Sequence, residues 1–302
     1  MRILVTGSTG FIGRHLIPEL VIKNHQILEI TRSYEKSLNI HGSKTLKLEI
    51  TSDHDYFKGI IIDFKPEIVI HLASFLTPSD GYKDINNLVE SNITFLLRIL
   101  DSISQVELKL FINTGTFAEY KSGTDNIYEP AYLYSATKTA SRSFVNYYSK
   151  TYNFKQFTVV PYTIYGGADS QKKIIDYLYE SIFSIENLDL SPGNQKLDFI
   201  HILDIVSLYL HLIENFETIP NMQNIHAGTG VSTSLRDLAK LIEKLTKKKL
   251  RINWGGKEYR HNDIMDATAN VELNKFKPRW SARISLRKGV NLYLKDKFKN
   301  NI

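Results

Sequence analysis

A tyrosine and a lysine four residues apart, in Tyr134-Ser-Ala-Thr-Lys138, are the side chains best suited to acid–base chemistry. Residues at this spacing are neighbours on one face of a helix. A free phenol has a pKa of about 10, and a neighbouring ammonium favours the phenolate, so we expect Lys138 to lower the pKa of Tyr134. Tyr134 can then give or take the proton of a sugar hydroxyl or carbonyl while hydride moves to or from a nicotinamide.

Two threonines follow the strand that we predict over residues 108–113, in Ile112-Asn-Thr-Gly-Thr116. Ligands of parallel sheets lie outside the carboxyl ends of the strands. Thr114 directly ends the strand, so we expect its hydroxyl to hydrogen-bond the oxygen that Tyr134 protonates. Thr116 is the nearest alternative for that role and otherwise a substrate contact, and a threonine that merely belongs to the turn is the third interpretation.

A glycine-rich turn near the start of the chain predicts where a dinucleotide binds. The run Ile3-Leu-Val5 predicts a buried strand, glycines stand at positions 7, 10 and 13, and residues 11–23 have helical periodicity. Gly7 permits the tight turn, Gly10 allows the backbone to approach a pyrophosphate, and Gly13 lets the helix pack against the strand. The helix N-terminus offers its N–H groups and positive dipole end to the phosphates.

The end of the second predicted strand bears on the type of dinucleotide. An NAD site commonly has an acidic residue about twenty residues past the glycines, which accepts from the ribose hydroxyls. Here Thr31 stands at that place and Arg32 follows. Since a carboxylate repels a 2′-phosphate and a guanidinium binds it, the sequence favours NADP, with Arg14 adding positive charge. NAD is the alternative, with Arg32 as a solvated loop residue.

Alternating strands and helices must position these residues. After the first strand and helix, we predict strands at 26–30, 45–48, 66–73, 108–113 and 157–161, and helices at 84–103, 135–151, 171–185, 203–216, 234–247 and 285–295. This order predicts an α/β fold, a doubly wound parallel sheet with helices on both faces. We assign residues 1–166 to the dinucleotide-binding domain, which regains segments near 195–230, and residues 167–302 mainly to a smaller C-terminal α/β lobe.

Composition narrows the class of protein. The chain has 302 residues, no cysteine and a formal net charge of +6. The lack of cysteine excludes disulfides, thiolate metal sites and cysteine catalysis and fits a cytoplasmic protein, and we identify no other set of metal ligands. No apolar run approaches the ~20 residues of a membrane span, and a strand begins at once, which leaves no room for a signal peptide. The modest positive charge is consistent with binding of an anionic nucleotide, or simply with a lysine-rich surface. It gives little support for nucleic-acid binding.

Five segments, together with the Tyr134 motif, resemble the extended short-chain dehydrogenase/reductase family, in its nucleotide-sugar branch. They are Thr6-Gly-Ser-Thr-Gly-Phe-Ile-Gly13, His71-Leu-Ala-Ser74, Val89-Glu-Ser-Asn-Ile93, Val160-Pro-Tyr-Thr-Ile-Tyr-Gly166 and Leu197-Asp-Phe-Ile-His-Ile-Leu-Asp204. In the same order, they are similar to the family's T-G-x-x-G-F-I-G and H-L-A-A motifs, to its asparagine on the following helix, and to its R-P-x-N-V-Y-G and R-D-F-I-H-V-x-D motifs. The resemblance covers nearly the whole chain. It implies a Rossmann domain, with a nucleotide-sugar site between the sheet and the C-terminal lobe.

The resemblance implies a role for each matched residue. Tyr134 is the proton donor or acceptor, Lys138 binds the nicotinamide ribose and tunes Tyr134, and Thr114 assists. Cofactor contacts are expected from Gly7, Thr9, Gly10, Phe11, Ile12, Gly13, Arg14, Thr31, Arg32, Leu72, Ala73, Ser74, Asn92, Tyr134, Lys138, Pro161 and Tyr162. Substrate contacts are expected from Thr116, Thr163 and Arg260. Arg260 is the candidate for the diphosphate, and an ordinary surface arginine is the alternative.

The chain also departs from the family pattern. Val160 and Leu197 replace arginines and Thr163 replaces an asparagine. Ala118 and Glu119 replace the tyrosine and glycine that usually follow the strand bearing Thr114. These changes keep the core chemistry plausible but weaken an assignment to the 4-epimerases.

An NADP-type site favours a reductase, because a ketoreductase consumes NADPH in each turnover whereas an epimerase keeps its cofactor. The leading hypothesis is an NADPH-dependent 4-ketoreductase of a nucleoside-diphospho-4-keto-6-deoxy sugar, with hydride transfer to C4 and Tyr134 as proton donor. The alternative is an NAD-dependent nucleotide-sugar 4-epimerase. A 4,6-dehydratase is less favoured, since Gly115 and Thr116 replace the Asp and Glu of that subgroup's S-T-D-E, and so is a non-catalytic cofactor-binding protein.

The resemblance also implies a homodimer, in which two helices of each subunit pack into a four-helix bundle. The candidate helices are those predicted at 84–103 and 135–151. Phe95, Leu96, Ile99 and Leu100 suit either such an interface or packing on the sheet. The sequence does not decide between these two places.

Overall fold

The computed structural model describes residues 1–77, 79–120, 127–167, 169 and 171–299. Within these ranges the strands are β1 (Arg2–Thr6), β2 (Gln26–Thr31), β3 (Leu46–Glu49), β4 (Ile68–His71), β5 (Leu110–Thr114), β6 (Lys155–Pro161), β7 (Thr163–Tyr165), β8 (Leu188–Leu190), β9 (Lys196–His201), β10 (Gln223–Ala227), β11 (Ser232–Ser234), β12 (Ile252–Trp254) and β13 (Asp266–Ala267). Seven of them form one parallel sheet in the order β10-β6-β5-β4-β1-β2-β3. The winding reverses between β1 and β4, and ligands of such sheets bind at that point.

The helices in the same ranges are α1 (Phe11–Ile22), α2 (Tyr34–His41), α3 (His54–Phe64), α4 (Tyr82–Val89), α5 (Phe95–Ile103), α6 (Leu133–Tyr152), α7 (Ile174–Glu180), α8 (Ile202–Asn215), α9 (Leu235–Thr246) and α10 (Leu286–Lys299). A π-helical turn, Glu90–Thr94, joins α4 to α5. The predicted α/β fold with a doubly wound parallel sheet is confirmed. No helix in the described ranges is long and apolar enough to cross a membrane.

Side-chain caps mark where several helices begin. Ser33 accepts from the N–H of Lys36 at the start of α2, and Asp53 accepts from the N–H of Tyr56 at the start of α3. Ser234 accepts from the N–H of Asp237 at the start of α9. Each cap satisfies an N–H group that the helix itself leaves unpaired. Neither α2 nor α3 was predicted from the sequence.

Two hydrophobic layers enclose the sheet. On one face, α1 and α8 pack on β1, β4 and β5 through residues such as Leu16 and Leu208. On the other face, α3 and α5 pack on the same strands. The four apolar residues of α5 belong to this second layer: Leu96, Ile99 and Leu100 are 0% exposed and Phe95 is 7% exposed. They pack on the sheet and are not free to form an interface.

The C-terminal part of the chain returns to the sheet before it forms small sheets of its own. The strand β10 pairs with β6, and α8 packs on α1. Outside the main sheet, β9 pairs with β7, β11 and β13, while β8 pairs with β12. Asp198 of β9 is fully buried and accepts from the N–H groups of Thr229, Gly230 and Ala269. One carboxylate thus ties β9 to the two loops that follow β10 and β13.

Candidate active site

The glycine-rich turn between β1 and α1 has no room for side chains at its first and last glycine. Gly7 has a φ of +68°, and a Cβ there would lie 2.6 Å from the backbone nitrogen of Ala73. A Cβ on Gly13 would lie 2.5 Å from the carbonyl oxygen of Gly7. The turn therefore brings the backbones of β1, α1 and the segment after β4 into direct contact. The tight turn and the close packing expected of these two glycines are present.

The N-terminus of α1 is suited to an anion. Gly10 is the N-cap residue, no side chain caps the helix, and its first turn contains no acidic residue. The N–H groups of that turn and the helix dipole therefore favour negative charge. Arg14 donates through Nη2 to the carbonyl oxygen of Thr9 at 3.1 Å, which places its positive charge beside the same turn. These features fit the diphosphate of a dinucleotide.

A buried histidine fixes the end of β4 against the glycine-rich turn. Nδ1 of His71 lies 3.0 Å from Oγ1 of Thr6, which also accepts from the N–H of Ala73 at 3.2 Å. The imidazole lies between the rings of Phe95 and Phe111, with centroid distances of 6.1 Å to each. Burial lowers the pKa of His71 to about 3, with a smaller contribution from the charge of Lys138. The ring is therefore neutral at physiological pH.

Asn92 connects the segment after β4 to α6. It lies in the π-helical turn and is 1% exposed. Its Oδ1 accepts from the N–H of Phe75 at 2.8 Å and from the hydroxyl of Ser74 at 3.2 Å. Its Nδ2 donates to Oγ1 of Thr137 at 2.9 Å, and that hydroxyl donates to the carbonyl oxygen of Tyr134. Asn92 thus holds Ser74 next to the first turn of α6.

Tyr134 and Lys138 lie one turn apart near the start of α6, and both are buried. Burial raises the pKa of Tyr134 to about 12, although a hydrogen bond with Ser74 acts in the opposite direction. Burial lowers the pKa of Lys138 to about 8, and the negative charge of Glu119 opposes that shift. The expected lowering of the pKa of Tyr134 is therefore wrong, because desolvation of the phenolate is the larger effect. Tyr134 holds its proton at neutral pH and can donate it.

The two candidate threonines have different partners. Oγ1 of Thr114 lies 2.7 Å from the hydroxyl of Tyr209, a fully buried residue of α8. Oγ1 of Thr116 accepts from the N–H of Ala118 at 3.3 Å, at the start of the 3₁₀ turn Phe117–Glu119. Thr116 therefore caps a local turn, while Thr114 belongs to a buried pair of hydroxyls at the end of β5.

A buried ion pair lies behind these residues. Arg142 of α6 donates to Glu119 through Nε at 2.5 Å and through Nη2 at 3.0 Å. Glu119 is 0% exposed, and its Oε1 also accepts from the N–H of Thr116 at 2.8 Å. Nη1 of Arg142 donates to Asn224. The pair was not predicted from the sequence, although Glu119 was visible there as a departure from the family's glycine.

The end of β2 has an exposed arginine and a neighbouring carboxylate. The hydroxyl of Thr31 donates to the carbonyl oxygen of Ser33 and accepts from its N–H. Arg32 is exposed, and its guanidinium has no hydrogen bond or ion pair within the described ranges. Glu49, at the end of β3, accepts from the N–H of Tyr34 at 2.8 Å. The end of β2 thus has an exposed guanidinium at Arg32, while the carboxylates of Glu49 and Glu35 lie at the start of α2.

The other two substrate candidates, Thr163 and Arg260, lie at two further places. Thr163 is half-buried in β7, next to Tyr162, whose ring stacks on Phe117 with a centroid distance of 5.5 Å. Arg260 is exposed between β12 and β13, and its N–H donates to Asp263. Burial raises the pKa of Tyr132, the N-cap residue of α6. Two nearby charges have smaller effects on this pKa: Asp263 raises it and Arg260 lowers it. Arg260 therefore lies near the end of α6 that bears Tyr134.

The structure gathers most of the predicted residues at one edge of the main sheet. The carboxyl ends of β1, β2, β4, β5 and β6 all meet there, because the strands are parallel. The segments that follow these ends contain residues 7–14, 31–32, 72–74, 114–116 and 161–163. Asn92 and the Tyr134–Lys138 pair join them from the helices. The edge combines an anion-binding helix end with a buried phenol and a buried ammonium, which suits proton transfer beside a bound dinucleotide.

Comparison with known proteins agrees with this arrangement. A family model described as "NAD dependent epimerase/dehydratase family" matches residues 3–228. A CDP-abequose synthase of Yersinia pseudotuberculosis is 28% identical over 265 residues, which cover 88% of this chain and 91% of that protein. A dTDP-4-dehydro-6-deoxyglucose reductase of Escherichia coli is 24% identical and covers 97% of this chain and 96% of its own.

A solved structure extends the comparison to the whole fold. The UDP-glucose 4-epimerase of Thermotoga maritima, solved with UDP-glucose, superposes with a TM-score of 0.86 and covers 100% of both chains. Its sequence identity is 19%. At that identity the likeness shows the fold and leaves the reaction to be argued from the site.

Proposed function

This chain belongs to the NAD dependent epimerase/dehydratase family, and from that premise we propose that it is an NADPH-dependent 4-ketoreductase. The substrate is a nucleoside-diphospho-4-keto-6-deoxy sugar. Two relatives support this reaction class: one is named as a synthase of a CDP-linked sugar and the other as a reductase of a 4-dehydro-6-deoxy sugar. An enzyme of this family is NAD(P)-dependent and acts on nucleotide sugars.

The proposal depends mainly on the side chains at the end of β2, which favour NADP over NAD. Thr31 occupies the place where a carboxylate commonly binds the ribose of NAD, and its hydroxyl is engaged by the backbone of Ser33. Arg32 beside it is exposed. A guanidinium of this kind forms two-pronged, charge-assisted hydrogen bonds with a phosphate. Preference for NADP follows, and a cofactor that is consumed in each turnover suits a reductase.

The protonation state of the buried pair supports reduction. NADPH, when bound, supplies the hydride that goes to the C4 carbonyl carbon of the sugar. Tyr134, whose pKa is raised to about 12, donates its proton to the carbonyl oxygen as negative charge develops there. The ammonium of Lys138 stabilises the phenolate that remains. Thr114 hydrogen-bonds the same oxygen, and solvent returns the proton to Tyr134.

A 4,6-dehydratase fits this site poorly. The resemblance places that subgroup's added acid at Gly115, where this chain has no side chain. A Cβ on Gly115 would lie 2.5 Å from Oε1 of Glu119 and 2.8 Å from Nη2 of Arg142. The buried ion pair therefore fills the space that an aspartate at position 115 requires.

A nucleotide-sugar 4-epimerase is the second candidate, and one observation favours it. The carboxylate of Glu49 lies beside the start of α2, one strand from Thr31. Negative charge at that place opposes a 2′-phosphate and suits the ribose hydroxyls of NAD. An epimerase would keep this NAD bound through the reaction.

Mass spectrometry of the cofactor released from the purified protein separates the two candidates. The reductase predicts a protein that is purified without tightly bound NAD and that oxidises NADPH in the presence of a 4-keto-6-deoxy sugar nucleotide. A stoichiometric content of NAD, with interconversion of unmodified sugar nucleotides, would instead establish the epimerase. The substrate trial uses CDP-, dTDP- and UDP-linked 4-keto sugars in parallel, since the base is not specified by the site.

We also propose that the chain forms a homodimer through the outer face of α6. Tyr147 is 64% exposed and Tyr152 is 43% exposed, and both contact Tyr148 with ring centroids 5.5 Å apart. Tyr148 is half-buried against the core, so two exposed aromatic rings flank a third that anchors them, and the exposed pair suits burial in an interface. Sedimentation equilibrium of the parent and of Tyr147→Glu measures the mass of the assembly in solution. The parent is expected at twice the chain mass and the variant at a lower mass.

A further inference from the structure

The ion pair between Glu119 and Arg142 lies on the same helix face as the proposed catalytic pair. Tyr134, Lys138 and Arg142 follow one another at four-residue spacing on α6, so their side chains form one row. Glu119 reaches this row from the 3₁₀ turn after β5. Arg142 binds it in a two-pronged contact, and both residues are buried. A pair held in this way has little freedom to move.

Glu119 also holds the turn that follows Thr114. Its Oε1 accepts from the N–H of Thr116 at 2.8 Å, and its Oε2 accepts from the hydroxyl of Thr139 at 3.4 Å. A Cβ on Gly115 would overlap both members of the ion pair. The pair therefore packs directly against the backbone at Gly115 and binds the N–H of Thr116, while β6 holds Gly115 through the carbonyl oxygen of Val159.

The charges around Lys138 come from three elements. Tyr134 and Arg142 face it from α6, His71 faces it from β4, and Glu119 faces it from the 3₁₀ turn. His71 is neutral, because its pKa is about 3. The negative charge of Glu119 raises the pKa of Lys138, and the positive charge of its partner Arg142 lowers it. Opposite charges at short range in a buried site interact strongly.

We propose that Glu119 is a positioning residue for the reaction: paired with Arg142, it sets the turn at residues 114–116 and keeps the buried ammonium of Lys138 charged beside Tyr134. Glu119 touches neither cofactor nor substrate in this proposal and acts through Thr116 and Lys138. The inference rests on the proposed roles of Tyr134 and Lys138. It assigns a function to a position where the chain departs from the family pattern.

The test measures the ionisation of Lys138 directly, in the protein without ligand. Lysine labelled with ¹³C at Cε is incorporated, and the signal of Lys138 is assigned from its loss in Lys138→Arg. The midpoint of its titration is followed in the parent, Glu119→Gln, Arg142→Met and the double variant. Gln keeps the shape of Glu119 and an acceptor for the N–H of Thr116, so Glu119→Gln removes mainly the charge.

The two single variants are expected to shift the midpoint in opposite directions. The parent midpoint is expected near pH 8, because burial lowers the pKa of Lys138. Glu119→Gln lowers it by at least ~1 pH unit, because Arg142 then acts on Lys138 without compensation, and Arg142→Met raises it. In the double variant the midpoint lies below that of the parent, since the effect of Glu119 is the larger of the two. An ion pair too distant to act on the charge of Lys138 predicts no shift of the midpoint in either single variant.

Shifts of both single variants in the same direction, or an unchanged midpoint in folded Glu119→Gln, would overturn the proposal. Either single variant can fail to fold, because each leaves a buried charge without its partner. The double variant then decides: a midpoint at or above that of the parent contradicts the role of Glu119.

The pH dependence of kcat/KM for ketone reduction is measured alongside. If the parent reduces no ketone while the midpoints shift as expected, the proposed function fails and the role of Glu119 stands.

Discussion

Oγ1 of Thr114 and the hydroxyl of Tyr209 lie 2.7 Å apart, and this contact joins the end of β5 to α8. Tyr209 is fully buried, and burial raises its pKa while the hydrogen bond with Thr114 acts against that shift. Tyr209 therefore stays protonated and can donate to Thr114. In that arrangement the proton of Thr114 is free to point toward a substrate oxygen.

Tyr209→Phe tests whether this contact orients Thr114. We expect kcat to fall several-fold with little change in KM, because Thr114 loses its fixed orientation while the substrate site stays intact. The free energy of unfolding should fall by about 1 kcal/mol, the usual contribution of one hydrogen bond. Thr114→Ala should lower kcat more than Tyr209→Phe does, and Thr114→Ser should retain most of it. Equal activity of Thr114→Ala and the parent would remove Thr114 from the reaction.

Tyr134→Phe tests the proton donor. The variant keeps the ring in its buried place and removes only the hydroxyl, so thermal unfolding should change little. We expect kcat for ketone reduction to fall between about 10²- and 10⁴-fold, the range typical of a lost general acid. Binding of NADPH, followed by its fluorescence, should be nearly unchanged. Tyr132→Phe, two residues away at the N-cap of α6, is the matched control and should keep its turnover.

The sequence predicted the parts of the site that depend on local spacing. Thr114 was identified because a strand ends there, and Lys138 because it lies one helical turn from Tyr134. The ion pair of Glu119 and Arg142 joins residues 23 positions apart. No periodicity connects positions at that separation, so the pair became visible only when β5 and α6 were placed side by side. The raised pKa of Tyr134 could not be predicted from local spacing either, since burial depends on how the whole chain packs.

The same holds for the fold: local sequence patterns predicted some elements, whereas others depend on contacts with distant residues. The strands β1 and β4 were predicted because runs such as Ile3-Leu-Val5 are apolar on both faces, as central parallel strands require. The helices α2 and α3 were not predicted. The helix α2 has only eight residues and buries little beyond Ser37, so its apolar periodicity is weak. Its start depends on the cap at Ser33 and on a contact with Glu49 from another strand.

Arg32→Ala tests the preference for NADP. We expect the dissociation constant for NADPH to rise at least tenfold, which corresponds to about 1.4 kcal/mol, while that for NADH changes little. The difference between parent and variant should shrink as salt is added, because the interaction is electrostatic and exposed. Arg279→Ala removes an exposed arginine elsewhere on the chain and should leave both constants unchanged. Similar weakening of NADPH and NADH would contradict a contact with the 2′-phosphate.

His71→Phe tests how a buried neutral histidine affects stability toward acid. The pKa of His71 is about 3 in the folded chain, against 6.5 for the free side chain. Between these values the unfolded chain binds a proton that the folded chain does not, so stability is complete above about pH 6.5 and is lost as the pH falls toward 3. Over this window the parent should lose about 5 kcal/mol through His71.

The phenylalanine variant cannot take up that proton, so its free energy of unfolding should vary less with pH across the same window. Urea unfolding at several pH values between 7 and 4 measures the slope for each protein. Some slope should remain, because His226 is also buried and its pKa is lowered to about 4. His261→Phe, at an exposed position in the loop before β13, should keep the slope of the parent. If His71→Phe keeps it as well, His71 takes up its proton as readily in the folded chain as in the unfolded chain, which contradicts the lowered pKa.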